Sequence, residues 1–251
     1  MQRPRCAFAP TNPGRALGAL PTLGAVTAPS LARRYAELTE HAPLRPAVDT
    51  AIRVLDIVLS GSLLLLLSPV WIAVGTLALV ANGRPLFYRG ERVGRAGQTF
   101  AMVKFRTLPA DAESRLGPYY GEELTRRTQA EVTAFGRWLR TTQLDEIPQL
   151  WNVLGGDMSF VGPRPIRPRF FEELAADLPA YWQRLVVRPG LTGLAQTRMG
   201  REEAWAEKLA HDLEWVADRS VGLYLRTVVS TGVRVIRQSF RGASGRDQAH
   251  G

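Results

Sequence analysis

Residues 143–165 read QLDEIPQLWNVLGGDMSFVGPRP, and both the fold and the chemistry can be worked out from this stretch. It sets an acidic pair, Asp145 and Glu146, at the mouth of a short apolar helix. Pro148 suits the first turn of that helix, where a missing amide donor costs nothing. Free backbone amides and the helix dipole at such an end favour negative charge. Two adjacent carboxylates can divide labour, one staying free as a nucleophile while the other holds a divalent metal. Mg²⁺ favours this kind of oxygen ligation, shared with substrate phosphates. Gly155-Gly156 ends the helix, and Gly162-Pro163-Arg164-Pro165 holds an arginine between two prolines. A guanidinium presented at so little entropic cost is a natural phosphate clamp. An isolated Asp-Glu pair is most often a cap or a solvated face; only the whole block points to handling a diphosphate with a metal ion.

Upstream, residues 57–80 read IVLSGSLLLLLSPVWIAVGTLALV without a charge. At helical rise that is roughly 36 Å, enough to cross a hydrocarbon core of about 30 Å. Length alone favours a single span. Pro69, however, removes a backbone donor in mid-segment and crowds the carbonyl of Leu65, and Ser68 beside it can satisfy part of the freed backbone. Arginines flank both ends: Arg33, Arg34, Arg45 and Arg53 before, Arg84, Arg89, Arg92 and Arg95 after. A span would strand one cluster on the far side, against the positive-inside tendency. A helix–break–helix hairpin, broken at Ser68-Pro69, keeps both on one face and is the favoured reading over a span. A buried core helix ranks third.

The chain of 251 residues carries a net charge of +9, almost all of the excess being arginine. Such a balance fits nucleic acid, anionic lipid or phosphorylated substrates. A nucleic-acid binder has no use for an uncharged membrane-length run, so no nucleic-acid partner is expected. Cys6 is the single cysteine and the three histidines are scattered, which excludes a disulfide framework and makes a zinc site improbable. Residues 1–48 lack periodicity and read as a disordered tail. Pro10, Pro13 and Pro21 break any leader-like run, and a misplaced start codon is the alternative.

Residues 86–89 and 99–105 read as strands of a β-hairpin around VGRAGQ, ending in Lys104-Phe105-Arg106. Those cations face either solvent or a phosphate. Residues 111–133 are polar and weakly helical, and 135–140 form a short helix. The apolar spacing of 171–186 predicts one amphipathic helix despite Pro179, and 202–218 another. Residues 188–193 read as a turn. In 221–240 an apolar face has an arginine-rich margin, suited either to an interfacial helix on anionic lipid or to ordinary packing.

Taken together, RVLDIVLS with its downstream Ser68-Pro69, FYRGERVGRAGQTFAMVKFRT, GRWLRTTQLDEIPQLWNVLGGDMSFVGPRP, VRPGLTGLAQ and the region of Asp212 resemble the bacterial sugar transferases. These are the small monotopic phosphoglycosyl transferases that act on a polyprenyl phosphate, and the resemblance covers most of residues 50–240. It implies that Asp145 attacks the β-phosphate of a UDP-sugar, releasing UMP, and that a polyprenyl (undecaprenyl) phosphate then takes the sugar phosphate from the carboxylate. Glu146 would bind Mg²⁺, Arg140 and Arg164 would hold phosphates, and Lys104 and Arg188 are further candidates for that task. Asp212 matches a family carboxylate that either assists the acceptor or makes a structural ion pair.

The implied architecture is α+β and mostly helical. It comprises a re-entrant membrane helix (49–84), a small β-hairpin and amphipathic interfacial helices around a compact cytoplasmic catalytic domain (85–240), and a second disordered tail (241–251). The implied place is the cytoplasmic face of the bacterial inner membrane, with anionic lipids as partners and a homodimer left open. The implied pathway is the start of a surface glycan, whether exopolysaccharide, capsule or O-antigen. Three departures from the family pattern bear on sugar and nucleotide contacts: RRTQAEVTAF before GRWLR, TRMGR after GLAQ, and Tyr224 where an acid is common. A transferase that moves only the sugar and releases UDP, and a non-catalytic membrane scaffold, are the competing readings.

Overall fold

The computed structural model describes residues 45–116, 121–199 and 204–244. Most of the tail expected at 1–48, and residues 245–251 of the second, lie outside them. Helix α1 spans Pro46–Leu66 and starts on a proline, three residues before the expected boundary. It is followed by α2, Ser68–Asn82, after a bend of 64° at Leu67. Pro69 falls in the first turn of α2, so its missing donor lands where a helix has orphan amides anyway. The indole of Trp71 donates to the Leu64 carbonyl at 3.2 Å, satisfying an acceptor at the bend. No single described helix is long and apolar enough to cross a membrane, although the bent pair together is, by length and composition.

The pair does not behave as core helices. Val58, Leu65, Leu66, Ile72, Leu77 and Val80 face outward, Val80 with 82 % of its surface exposed. Inward turn the stripe Ile52, Asp56, Ser60 and Leu64 of α1, at helical spacing, and Val74, Gly75 and Ala78 of α2.

Strands β1 (Phe87–Val93) and β2 (Thr99–Phe105) form the expected antiparallel hairpin, in register Phe87↔Phe105 to Val93↔Thr99. Helices α3 (Ala112–Leu116), α4 (Gly121–Ala130) and α5 (Ala134–Thr142) follow. The stretch expected to be weakly helical thus holds two separate helices, and the side chain of Thr133 caps α5 by accepting from the amide of Gly136. Next come α6 (Gln149–Gly155), β3 (Ser159–Val161) and α7 (Pro168–Asp177). The single helix expected over 171–186 is corrected here. Leu178 ends α7, and Pro179 starts a separate 3₁₀ segment, Pro179–Val186, because proline cannot continue the α-helical ladder.

The turn expected at 188–193 contains β4 (Gly190–Thr192), parallel to β3. Two such short strands carry no period-2 signal, and their pairing depends on close approach: a Cβ on Gly162 would collide with the backbone of Arg188. Helices α8 (Leu194–Arg198), α9 (Trp205–Asp218) and α10 (Val221–Ser244) complete the chain. The largest core joins α1, β2, α6, β3, α9 and α10 through Ile52, Met102, Leu150, Val153, Phe160, Trp215 and Tyr224. The membrane-type helix and the 143–165 block therefore share one core.

Candidate active site

Gln143 takes a left-handed conformation (φ 59°) that ends α5, and Leu144–Glu146 follow as one 3₁₀ turn before α6. Asp145 is buried there, with 8 % of its surface exposed, while Glu146 is partly exposed. Lys104, on β2, donates its Nζ to Glu146 Oε1 at 2.5 Å. Of the two cations at the strand end, only Lys104 faces the carboxylates. Arg106 is buried and donates to the carbonyls of Asn82, Gly83, Pro85 and Leu108, capping α2. Arg140, in the last turn of α5, donates Nε to Thr107 Oγ1 at 2.9 Å, and its charge acts on Asp145. Arg164 supplies positive charge to Glu146.

These neighbours separate the two acids. Burial pushes the Asp145 carboxyl up to about 6, opposed by Lys104 and Arg140 and assisted by the negative charge of Glu146. Burial also pushes Glu146 up, but Lys104, Arg164 and Gln149 outweigh it and hold the group below its ordinary value. One carboxylate is thus firmly ionised and the other lies close to neutral pH, the arrangement that lets a pair take two roles. Among the described residues no three His, Cys, Asp or Glu side chains gather as a metal site. A divalent ion at Asp145 and Glu146 would therefore need further oxygens from a ligand.

The other sequence-derived candidates fall elsewhere. Arg188 donates Nε to the carbonyl of Gly156 at 2.9 Å, at the far end of α6 from the acidic pair. Asp212 is buried and ion-paired with Arg184 at 2.8 Å. Arg184 also donates to Tyr181 Oη at 3.0 Å and to the carbonyl of Arg164 at 2.8 Å. Asp212 therefore acts on the clamp loop through Arg184. Ser68 and Pro69 sit at the helix bend.

A model of the family described as bacterial sugar transferase matches residues 48–238. The chain belongs to the bacterial sugar transferases. Over 195 residues the transferase is 37 % identical to the UDP-glucose:undecaprenyl-phosphate glucose-1-phosphate transferase of Caulobacter vibrioides, covering 74 % of this chain and 71 % of that one. It is 35 % identical over 202 residues to the exopolysaccharide production protein ExoY of Rhizobium meliloti, covering 76 % and 88 %. A glucose-1-phosphate transferase of Xanthomonas campestris is 34 % identical, with 73 % of this chain matching 38 % of that longer protein.

Several supporting residues of the transferase escaped the sequence reading. Asn152 of α6 takes the place of a neighbouring strand on β2: its Oδ1 accepts from the Val103 amide at 3.0 Å and its Nδ2 donates to the Ala101 carbonyl at 2.8 Å. That fixes Lys104, the next residue along, against Glu146. Asp56 of α1 is buried, and its Oδ1 accepts from Ser159 Oγ, the Phe160 amide and Tyr224 Oη at 2.9, 3.0 and 2.9 Å. Tyr224, noted in the sequence as a departure, is thus a donor to the membrane-type helix. A lone acid in the apolar run of RVLDIVLS was the available signal for Asp56. Nothing in local sequence marks Asn152, Thr107 or Arg184.

Proposed function

We propose that the transferase moves a sugar-1-phosphate from a UDP-sugar to a polyprenyl phosphate through Asp145. The carrying observation is the 3₁₀ turn that pairs a buried, near-neutral Asp145 with an ionised Glu146 beside Lys104, Arg140 and Arg164. An Asp145 oxygen attacks the β-phosphorus, and the bond from that phosphorus to the bridging oxygen breaks. UMP leaves with that oxygen, and the sugar phosphate stays on the carboxylate. An oxygen of the polyprenyl phosphate then attacks the same phosphorus and the carboxylate departs, giving a polyprenyl diphosphate sugar. Lys104, Arg140 and Arg164 meet the charge that builds on the phosphoryl oxygens.

Glu146 is the fitting holder for Mg²⁺. Its carboxylate with diphosphate oxygens would match the ligation this ion favours, and when bound the ion would neutralise the diphosphate. Lys104 bonds Oε1 of Glu146, which leaves Oε2 for that role. The names of the relatives support the donor, the acceptor and a place in exopolysaccharide synthesis.

The bent pair α1–α2 enters and leaves the membrane by its cytoplasmic face in this reading. Both ends of the pair are pinned to the same body, which supports it. Arg53 near the start donates to the carbonyls of Val153 and Leu154, and Arg106 holds those of Asn82 and Gly83 at the end. A span would pull these ends to opposite faces.

With membrane-extracted protein, polyprenyl phosphate and a panel of UDP-sugars, UMP is the expected nucleotide product. Asp145→Asn is expected to abolish its release. Near-normal turnover in that variant removes Asp145 as nucleophile, and UDP as product favours transfer of the sugar alone. For topology, a label reaching a residue before Arg53 only from the periplasm overturns the re-entrant placement.

A further inference from the structure

At the end of α6 remote from Asp145 three arginines gather, and among the described residues none of them is ion-paired. Arg53 donates Nη1 to the Val153 carbonyl at 2.6 Å and Nη2 to that of Leu154 at 2.8 Å. Arg188 donates Nε to the Gly156 carbonyl at 2.9 Å, and its two Nη groups have no partner among the described residues. Arg95, exposed at the tip of the β1–β2 hairpin, is near enough that burial, Arg53 and Arg95 together hold the Arg188 guanidinium below its ordinary value.

Asp56 and Asp49 oppose this shift at Arg188, but their hydrogen bonds go to other donors. Asp49 pairs with Arg219 at 2.7 Å, and Asp56 Oδ1 takes the three donors named above. Among the described residues neither Arg53, Arg95 nor Arg188 has an ion pair with an acid. The three carbonyls account for Arg53 and for one edge of Arg188, but carbonyl dipoles do not balance formal charge. What remains is a guanidinium fork and a free cation, the donor set that suits a phosphate.

Position narrows the ligand. Arg53 lies four residues before the uncharged run begins at Ile57, at the edge of the membrane segment. Gly94, beside Arg95, and Val187 and Pro189, on either side of Arg188, line a crevice together with Arg164 and Arg184. The length of α6, roughly 10 Å for its seven residues, keeps one phosphate from touching both the cluster and Asp145.

We propose that Arg53, Arg95 and Arg188 form a second anion site, separate from the Asp145–Glu146 pair, that takes a lipid-borne phosphate at the membrane boundary. The site rests on the membrane reading of α1 and α2 and is independent of the role of Asp145. Either an anionic phospholipid headgroup or the acceptor lipid, held here before it moves to Asp145, offers the required phosphate, and competition separates them.

The test uses the full chain in micelles of an uncharged detergent and measures saturable binding of radiolabelled phosphatidylglycerol. Arg95→Ala, which removes no side-chain hydrogen bond or ion pair among the described residues, and Arg188→Gln are each expected to weaken binding roughly fivefold, the effect of one arginine near a lipid phosphate. Arg126→Ala, which lowers net charge equally on α4, and Asp145→Asn should both bind as the native chain does. Displacement by polyprenyl phosphate at far lower concentration than by unlabelled phosphatidylglycerol supports the site and names the acceptor as occupant. Equal displacement supports it and names the headgroup. Unchanged binding in Arg95→Ala and Arg188→Gln, an equal loss in Arg126→Ala, or displacement by inorganic phosphate as effective as by either lipid overturns the proposal.

Discussion

Replacing Asp145 by asparagine is expected to stop the reaction and, at neutral pH, to stabilise the fold. Asp145 is 8 % exposed, and burial lifts its carboxyl from an ordinary 3.8 to about 6 despite Lys104 and Arg140. The folded chain therefore binds this proton more tightly than the unfolded chain does. Below about pH 4 both states are protonated and no cost arises. Between about pH 4 and 6 the unfolded chain loses the proton first, so stability falls as pH rises, and above about pH 6 the full cost is present. A gap of roughly two pH units corresponds to about 3 kcal/mol. Asparagine keeps the shape and drops the charge, which removes that cost but leaves Lys104 and Arg140 short of one anion. A net gain of about 2–3 kcal/mol at pH 7.5 is expected, or a Tm higher by roughly 4–12 °C for a chain of this size. Unfolding of both proteins, followed in the same detergent from pH 4.5 to 8, measures it. The reasoning fails if the variant is no more stable than the native chain at pH 7.5, or if the gain is the same at pH 4.5.

The same titration predicts that UMP release by the native enzyme falls as pH drops through about 6, because the attacking carboxylate is then protonated; a flat profile between pH 5 and 8 would contradict it. Asp212→Ala strands Arg184 in the core and should cost about 3–5 kcal/mol in unfolding experiments, with KM for the donor rising in whatever folds as the Arg164 loop loosens. Tyr224→Phe removes one donor from buried Asp56, and denaturant unfolding should show a loss of about 1–3 kcal/mol. Asn152→Asp sets a carboxylate against the Ala101 carbonyl. Slower UMP release is expected, and activity equal to native would show that this anchor does not position Lys104.

Legibility in the sequence followed the range of the forces involved. The hairpin at 87–105 was readable because alternation and a Gly-rich turn are local signals. The break at Ser68-Pro69 was readable because proline acts on its own neighbours. The acidic pair was readable only inside its block, where the helix start, the glycine stop and the proline-locked arginine support one another. The single helix over 171–186 was wrong because apolar spacing at period 3.6 continues across Pro179 while the backbone cannot. Asp212 shows the remaining gap: its spacing gave no means of choosing between acceptor and ion pair, since Arg184 lies 28 residues away.

By itself the sequence determined the hairpin and the helix break at Ser68-Pro69, that one segment is suited to a membrane, and which acids and cations a phosphate chemistry can use. Each follows from side-chain type and short-range backbone sterics. The tertiary structure decided how the pieces are shared out. It set Lys104 on Glu146 through Asn152, sent Arg106 to cap a helix, and used Asp212 to hold the arginine behind the clamp loop. It also moved Arg188 away from the acids to the edge of the membrane segment. Those assignments depend on which buried donor meets which acceptor across the core, and burial, not sequence spacing, separates the titration of Asp145 from that of Glu146.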